Sequence, residues 1–220
     1  MKIPIVVLCA LLGAGNLPAE SLETILAHMD EAAAAFKAAA AEIQLTTFTK
    51  VIGDKTVENG TFKMQRTKDK STRVIIDFSN EKDARVIYFA GKIVRMYLTK
   101  TKLYQDFDVG HSDALNEFLL LGFGSSGKEL TESYQIATNG TESIAGQETT
   151  KLLLVPKSAK AREKLSKVAV WIPVGGANPV QQQFFYPSGN YQVVLYSNLK
   201  LNPAIKVEFK LPPGAKKQGS

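Results

Sequence analysis

The chain has little of the chemistry that marks metal sites or covalent frameworks. Its 220 residues include one cysteine, Cys9, and two histidines, His28 and His111. One cysteine excludes an internal disulfide and thiolate-rich zinc or iron–sulfur sites, and two histidines exclude a three-histidine metal site. A P-loop and a Gly-x-Ser-x-Gly nucleophile motif are also missing. We therefore predict no cofactor, no metal and no catalytic residues, so that the protein is not an enzyme.

No apolar run is long enough to cross a membrane as a helix. The longest, residues 3–15, follows Lys2, whereas a spanning helix needs about 20 apolar residues. A basic start and a short apolar run before a polar stretch are typical of a secretory signal peptide. We predict residues 1–19 as the signal peptide, with cleavage after Ala19 that removes Cys9. The product is then expected to be exported to the periplasm and soluble.

The remaining composition is that of one globular domain. Hydrophobic residues make up 45% and charged residues 22% of the chain, and the net charge is +6. This balance argues against a disordered chain. The length and the lack of an internal linker predict a single domain over residues 20–220. The basic charge permits anionic partners but does not choose between membranes and nucleic acids.

A helix is predicted at the start of this domain. Ser21 can cap it, and Glu23 lies in its first turn, where an acidic side chain complements the helix dipole. Apolar residues then recur at helical spacing as far as Ala40, and the alanines at 32–35 and 38–41 favour helix strongly. We expect one long helix with a single apolar face.

From residue 42 onward the pattern is that of short strands. Val74, Ile76 and Phe78 alternate with polar residues, as expected for a sheet with one wet face. The gaps between runs allow antiparallel hairpins and leave no room for βαβ crossovers. The predicted fold class is α+β, mainly β. It has one curled antiparallel sheet of about eleven strands that forms an incomplete barrel, covered by the long N-terminal helix and short helices.

Several local patterns predict turns and a last strand. Asn59-Gly60 and Asn139-Gly140, each followed by threonine, match glycosylation sequons, but Asn-Gly is also a favoured hairpin turn, and we interpret both as turns. Gly189-Asn190 predicts a further hairpin. Residues 204–210 alternate between apolar and charged side chains and predict the last strand.

A short helix is predicted in the middle of the chain, over residues 112–124. Its apolar residues include Leu119, Leu120 and Phe123, which lie on more than one face. A helix that is apolar nearly all round must be covered on several sides. Residues 124–127, Gly-Ser-Ser-Gly, are interpreted as a flexible joint.

Taken together, these motifs resemble the bacterial periplasmic carriers of outer-membrane lipoproteins, the LolA-like family. The resemblance rests on Phe48, on Gly60-Thr-Phe-Lys-Met-Gln-Arg66, on the hairpin of residues 87–97 and on Gln105. It extends through the C-terminal segments at residues 168–172, 179–184, 189–191, 200–202 and 209–214. Thr67 and Ala90 depart from the family pattern, which indicates a divergent member.

The resemblance implies a carrier that binds the acyl chains of lipoproteins in an apolar cavity and shuttles them toward the outer membrane. Its partners would be acylated lipoproteins, an inner-membrane release complex and an outer-membrane acceptor, without nucleic acid, and it would act as a monomer. By the same resemblance, Arg66 would hydrogen-bond a helical lid. Residues that would line the cavity, or equally form plain core, are Ile76, Phe78, Met96, Leu98, Leu119, Leu120 and Phe123. The alternative is a periplasmic domain that senses lipids or lipoproteins for a signalling partner.

Overall fold

The computed structural model of the protein describes residues 20–69, 71–108 and 121–219. The helices of this part are α1 (Leu22–Ala35), α2 (Gly127–Ser133) and α3 (Ala159–Arg162). Its strands are β1 (Ala38–Thr49), β2 (Asp54–Arg66), β3 (Thr72–Asp77), β4 (Arg85–Ala90), β5 (Ile93–Leu98), β6 (Leu103–Asp108), β7 (Tyr134–Ile144), β8 (Gln147–Pro156), β9 (Lys167–Pro173), β10 (Gln181–Phe185), β11 (Tyr191–Leu201) and β12 (Lys216–Lys217).

All of these strands belong to one sheet. Their order is β12-β6-β5-β4-β3-β2-β1-β11-β10-β9-β8-β7, and each pair is antiparallel except β12 with β6. The sheet is curled and does not close, because the strands at its two ends do not pair with each other. The predicted fold class, a mainly β incomplete barrel, is confirmed, with twelve described strands instead of about eleven.

The strand register separates an inner from an outer face of the sheet. Phe62, Ile76, Ile87 and Met96 lie opposite one another on β2 to β5 and therefore share a face. We call it the inner face, because α1 and the segment at residues 121–124 pack on it. The buried residues there form two clusters, one around Ile25, Met29, Leu152, Leu154 and Val168, the other around Phe36, Phe62, Met64, Val74 and Phe123.

Helix α1 starts as predicted but ends early. The Ser21 hydroxyl accepts a hydrogen bond from the Thr24 amide, and Ile25, Met29 and Ala33 are buried along one face. The prediction of one long helix that continues to Ala40 is wrong, since β1 begins at Ala38. The alanines at 38, 39 and 41 are buried between β2 and β11, so tertiary packing overrides their helix propensity.

Two side chains fix the point where helix gives way to strand. The Asn202 amide oxygen accepts hydrogen bonds from the backbone amides of Lys37 (2.7 Å) and Ala38 (3.2 Å), and its nitrogen donates to the Ala35 carbonyl (3.1 Å). Arg66 donates to the Ala33 carbonyl at 3.0 Å. These bonds satisfy backbone groups that a continuing helix would otherwise pair. They come from residues distant in sequence, so local propensity does not reveal them.

The two Asn-Gly sequons are not turns. Asn59-Gly60 lies inside β2, and a Cβ on Gly60 would meet the Asp77 carbonyl at 2.6 Å and the Phe78 ring at 2.7 Å. Gly140 lies within β7 beside a register shift and has a φ of 79°. Gly60 therefore permits a close approach between β2 and the end of β3, and Gly140 lies in a bulge of β7. Neither glycine forms a hairpin turn. The hairpin at Gly189-Asn190 is confirmed, with the Tyr186 amide bonded to the Asn190 carbonyl.

Residues 204–210 are predicted as the last strand, but they form no strand. They cross the outer face as an extended segment in which Val207 is fully buried and Phe209 packs on Tyr88 and Tyr97. The strands beneath this segment are already hydrogen-bonded to a neighbour on each side, so the segment cannot pair with them as a further strand. Instead the Val207 amide donates to the Gln65 side chain at 3.0 Å. The chain then reaches β6, which pairs with β12.

The predicted mid-chain helix falls mostly on residues 109–120, which lie outside the described residues. The flexible joint predicted at residues 124–127 extends one residue too far, because α2 begins at Gly127. A capping box starts this helix, with the Ser126 hydroxyl bonded to the Glu129 amide and the Glu129 carboxylate to the Ser126 amide. The spacing Ser-x-x-Glu is a sequence signal for such a helix start.

Candidate functional site

The inner face holds an apolar cavity of about 220 Å³. It lies where β2, β3 and β4 face β10, β11 and β1 across the curl of the sheet. Its hydrocarbon walls come from six strands or their ends: Ile43, Leu45, Phe62, Ile76, Phe78, Ile87, Phe184 and Val194. Clefts for drug-sized ligands hold roughly 300–1,000 Å³. This cavity therefore has room for part of a hydrocarbon chain.

The uncharged polar side chains at the cavity are bonded to the protein. The Tyr196 hydroxyl donates to the Gln182 oxygen at 2.7 Å, and the Gln182 nitrogen donates to the Leu121 carbonyl at 2.5 Å. Gln192 accepts a hydrogen bond from the Tyr186 hydroxyl at 2.7 Å. Burial raises the pKa of the Tyr196 phenol, which stays neutral at physiological pH. Because these groups are paired, the cavity presents a mainly hydrocarbon surface to a ligand.

One charged residue, Arg85, joins the cavity lining in the described part of the chain. Its guanidinium pairs with both oxygens of Glu58, at 2.5 and 2.9 Å, and lies over the Phe78 ring at 4.6 Å. Both side chains are about four fifths buried, with 18% and 20% exposed. Hydrogen bonds from Arg85 hold the pKa of Glu58 below its ordinary value of 4.5. A bidentate ion pair thus closes one side of an apolar space.

This ion pair predicts a pH dependence of stability. Since the pKa of Glu58 is lowered by folding, the pair stabilises the protein fully above pH 4.5 and loses this effect as the pH falls through the folded-state pKa. We expect the difference in free energy of unfolding between the wild type and Glu58→Gln to be larger at pH 6.5 than at pH 3.5. Urea denaturation at both pH values measures it. If the free energies of unfolding of the two proteins differed equally at pH 6.5 and pH 3.5, the stabilising role of this ion pair would be contradicted.

Arg66, four residues along β2 from the cavity-lining Phe62, connects three segments. Besides the Ala33 carbonyl it donates to the Gly124 carbonyl at 2.5 Å, and its guanidinium lies 5.5 Å from the Phe36 ring centre. It therefore ties the end of α1 and residues 121–124 to β2. Phe123, in that segment, is buried and packs on Phe62 at 5.5 Å between ring centres, directly behind the cavity wall.

The residues predicted to line a cavity fall into four groups. Ile76 and Phe78 do line it. Phe123 supports its wall without reaching the space. Met96 and Leu98 lie on the inner face of β5, next to Ile87 and Arg85 of β4, outside the cavity lining. Leu119 and Leu120 lie outside the described residues. A role of any of these side chains in ligand binding stays a prediction.

Sequence reasoning missed the part of the wall that comes from the middle of the sheet. Ile43 and Leu45 of β1 and Val194 of β11 face the space, because β1 and β11 pair although about 150 residues separate them. Alternation of apolar residues could indicate that these strands have a buried face. It does not reveal that the first and eleventh strands are neighbours.

Residues 122–127 spell Gly-x-Gly-x-x-Gly, a pattern that can bind phosphate in another context. Here a Cβ on Gly122 would meet the Pro179 ring at 2.7 Å, one on Gly124 the Phe36 ring at 2.6 Å and one on Gly127 the Leu26 carbonyl at 2.5 Å. Neighbouring protein atoms thus occupy the space in front of all three glycines. They permit close packing and do not form a phosphate site.

Two absences within residues 20–69, 71–108 and 121–219 concern the site. No group of three or more histidine, cysteine or carboxylate side chains comes together in a way that could hold a metal ion. No helix within the same ranges has the length and apolar character needed to cross a membrane.

Solved structures show a fold similar to this open, curled sheet with helices on its inner face. An uncharacterized conserved protein from Thermus thermophilus is similar over 90% of this chain and 98% of its own, with a TM-score of 0.52 and 12% identity. Lipoprotein LppX of Mycobacterium tuberculosis is similar over 85% and 98%, with a TM-score of 0.49 and 15% identity.

A putative outer membrane lipoprotein-sorting protein domain from Vibrio parahaemolyticus is similar over 84% of this chain and 95% of its own, with a TM-score of 0.46 and 13% identity. No protein-family model and no curated protein sequence matches the chain. The predicted resemblance to the LolA-like carriers is confirmed as a distant likeness of fold.

Proposed function

We propose that the protein is a periplasmic carrier that holds acyl chains of lipoproteins in the inner-face cavity and moves them toward the outer membrane. The observation that carries this proposal is the cavity itself, whose walls are hydrocarbon and whose uncharged polar groups are bonded to the protein. Burial of an acyl chain contributes about 0.8 kcal/mol per CH₂ group. Such binding needs shape and apolar surface and no catalytic group.

Transport would require partners at both ends of the route. We propose an inner-membrane complex that releases lipoproteins to the carrier and an outer-membrane acceptor that receives them. Residues 1–19 would direct export and be removed. Similar solved structures include ones described as a lipoprotein-sorting protein domain and as a LolA superfamily protein, and this likeness of fold is compatible with the proposal.

Binding can be tested with an uncharged, environment-sensitive dye such as N-phenyl-1-naphthylamine. We expect saturable fluorescence enhancement with the mature protein, and displacement by a triacylated lipopeptide but not by the same peptide without acyl chains. Ile76→Asp should weaken dye binding about tenfold or more, because a carboxylate in an apolar cavity loses its hydration. Ile87→Trp, which fills the same space without a charge, should weaken it as well.

The matched control is Val57→Asp, which introduces the same charge on the outer face of β2, where Val57 is 49% exposed. It should leave dye affinity unchanged. Circular dichroism and thermal melting establish that each variant is folded. A folded Ile87→Trp variant that binds the dye as tightly as the wild type would count against the cavity as the binding site.

A further inference from the structure

A charged pair, Arg85 with Glu58, lies at the wall of the apolar cavity. Arg85 lies on the cavity lining, opposite Leu98 of β5 and beside Phe78, the residue that follows β3. A free arginine in such a position would attract the carboxylate of a fatty acid, because guanidinium and carboxylate groups form strong bidentate hydrogen bonds.

Three N–H groups of Arg85, on its two terminal nitrogens, are bonded within the protein. Nη1 donates to Glu58 Oε1 at 2.5 Å and to the Asp83 carbonyl at 3.2 Å, and Nη2 donates to Glu58 Oε2 at 2.9 Å. The face of its guanidinium is covered by the Phe78 ring. Glu58 reaches this position from the inner face of β2, opposite Leu45 of β1, which also lines the cavity.

A ligand carboxylate at this end of the cavity would meet two unfavourable situations. It would have to displace Glu58 from a buried bidentate pair, or it would lie beside the Glu58 carboxylate and be repelled by it. An acyl group in ester or amide linkage carries no charge and meets neither. The neutral pair is therefore compatible with uncharged acyl groups.

We infer that Glu58 is a specificity-determining residue that makes the cavity favour acyl chains in ester or amide linkage over free fatty acids. This inference rests on the proposed function and adds the chemical class of the ligand. Glu58 acts through Arg85: it occupies the Nη1–Nη2 edge of the guanidinium, an edge that would otherwise bind a carboxylate in two hydrogen bonds. Because Arg85 holds the pKa of Glu58 below its ordinary value, Glu58 remains ionised throughout the neutral range.

The test compares two ligands with the same acyl chain, charged decanoate and its uncharged methyl ester, by displacement of N-phenyl-1-naphthylamine at pH 7.5. The quantity measured is the ratio of the decanoate Kd to the methyl decanoate Kd. The proteins are the wild type, Glu58→Gln and Arg85→Gln. Glu208→Gln removes a carboxylate that pairs with Arg73 and Lys206 away from the cavity, and it serves as the control for net charge.

We expect the two substitutions to shift this ratio in opposite directions. Glu58→Gln frees Arg85 for the ligand and should lower the ratio about tenfold, the size expected for a charge-assisted hydrogen bond. Arg85→Gln leaves Glu58 as an unpaired carboxylate and should raise the ratio several-fold, to an extent that depends on local screening. Glu208→Gln should leave the ratio at the wild-type value.

Either variant is sufficient to decide the matter if the other fails to fold. A ratio within about twofold of the wild type in a folded Glu58→Gln or Arg85→Gln protein would overturn the inference. If neither ligand nor the triacylated lipopeptide displaces the dye from the wild type, the proposed function itself is wrong. If the ligands bind and only the ratio fails to move, the acyl cavity stands and Glu58 has no part in its selectivity.

Discussion

Arg66→Met is expected to lower the free energy of unfolding by about 3 kcal/mol, a large part of the stability of an ordinary domain. The guanidinium makes two partly buried hydrogen bonds, to the carbonyls of Ala33 and Gly124. One acceptor lies at the C-terminal end of α1, where a positive charge also favours the helix dipole. Methionine fills similar space but leaves both carbonyls without their donor. Urea denaturation of the purified protein measures the loss.

The control is Arg73→Met, on the next strand of the sheet. Arg73 contacts Glu208 at 3.5 Å, and both side chains are more than one third exposed. Exposed pairs contribute about 0–1 kcal/mol, so this variant should be nearly as stable as the wild type. Dye affinity should also fall in Arg66→Met, because the segment that carries Phe123 loses its bond to Arg66 and keeps the one from Gln182 to Leu121. Equal stability losses in the two variants would show that Arg66 does not join the segments.

Gly60→Ala should destabilise the protein by a similar amount, about 3 kcal/mol, at the upper end of the usual cost of overpacking. A methyl group at this position would lie 2.6 Å from the Asp77 carbonyl oxygen and 2.7 Å from the Phe78 ring. The carbonyl belongs to a neighbouring strand and cannot move without disturbing the ladder. Phe78 also lines the cavity, so a displaced ring should reduce dye affinity.

Gly140→Ala provides the comparison, because it belongs to the second Asn-Gly-Thr sequence. No atom of the described residues lies within 4 Å of an added Cβ there, but its φ of 79° is unfavourable for alanine. The expected cost is that of left-handed backbone alone, about 1 kcal/mol. Thermal or chemical denaturation of both variants measures which substitution causes the larger loss of stability. A larger loss in Gly140→Ala than in Gly60→Ala would contradict the close approach of β2 and the end of β3.

The same pair of glycines shows where sequence patterns were ambiguous. Asn-Gly predicts a tight turn from local preference alone, yet Gly60 is required by a residue 17 positions away and Gly140 by a bulge. The alanines at 38–41 are a second example. Their intrinsic preference is helical, but the register with β2 and β11 places them in the sheet. The strands themselves were predicted well from the alternation of apolar and polar residues, because burial of one face produces this alternation within each strand.

The candidate site was predictable only in part for the same reason. Ile76 and Phe78 were identified because their alternation is visible within β3 and the residue that follows it. The opposite wall of the cavity forms only because β11 lies beside β1, and these two strands are distant in the sequence. The polar pairs Arg85–Glu58 and Gln182–Tyr196 likewise join separate strands, and no spacing in the sequence indicates them.

The extended C-terminal segment that crosses the outer face also has a mechanical consequence. It is fastened to five successive strands: to Gln65 of β2, Arg73 of β3, Tyr88 of β4, Tyr97 of β5 and, through β12, to β6. A single covalent chain bound across consecutive strands acts as a brace that sets the curvature of this half of the sheet. We expect β2 to β6 to move together as one rigid unit. Accommodating a longer hydrocarbon chain would then require the wall formed by β1, β11 and β10 to bend.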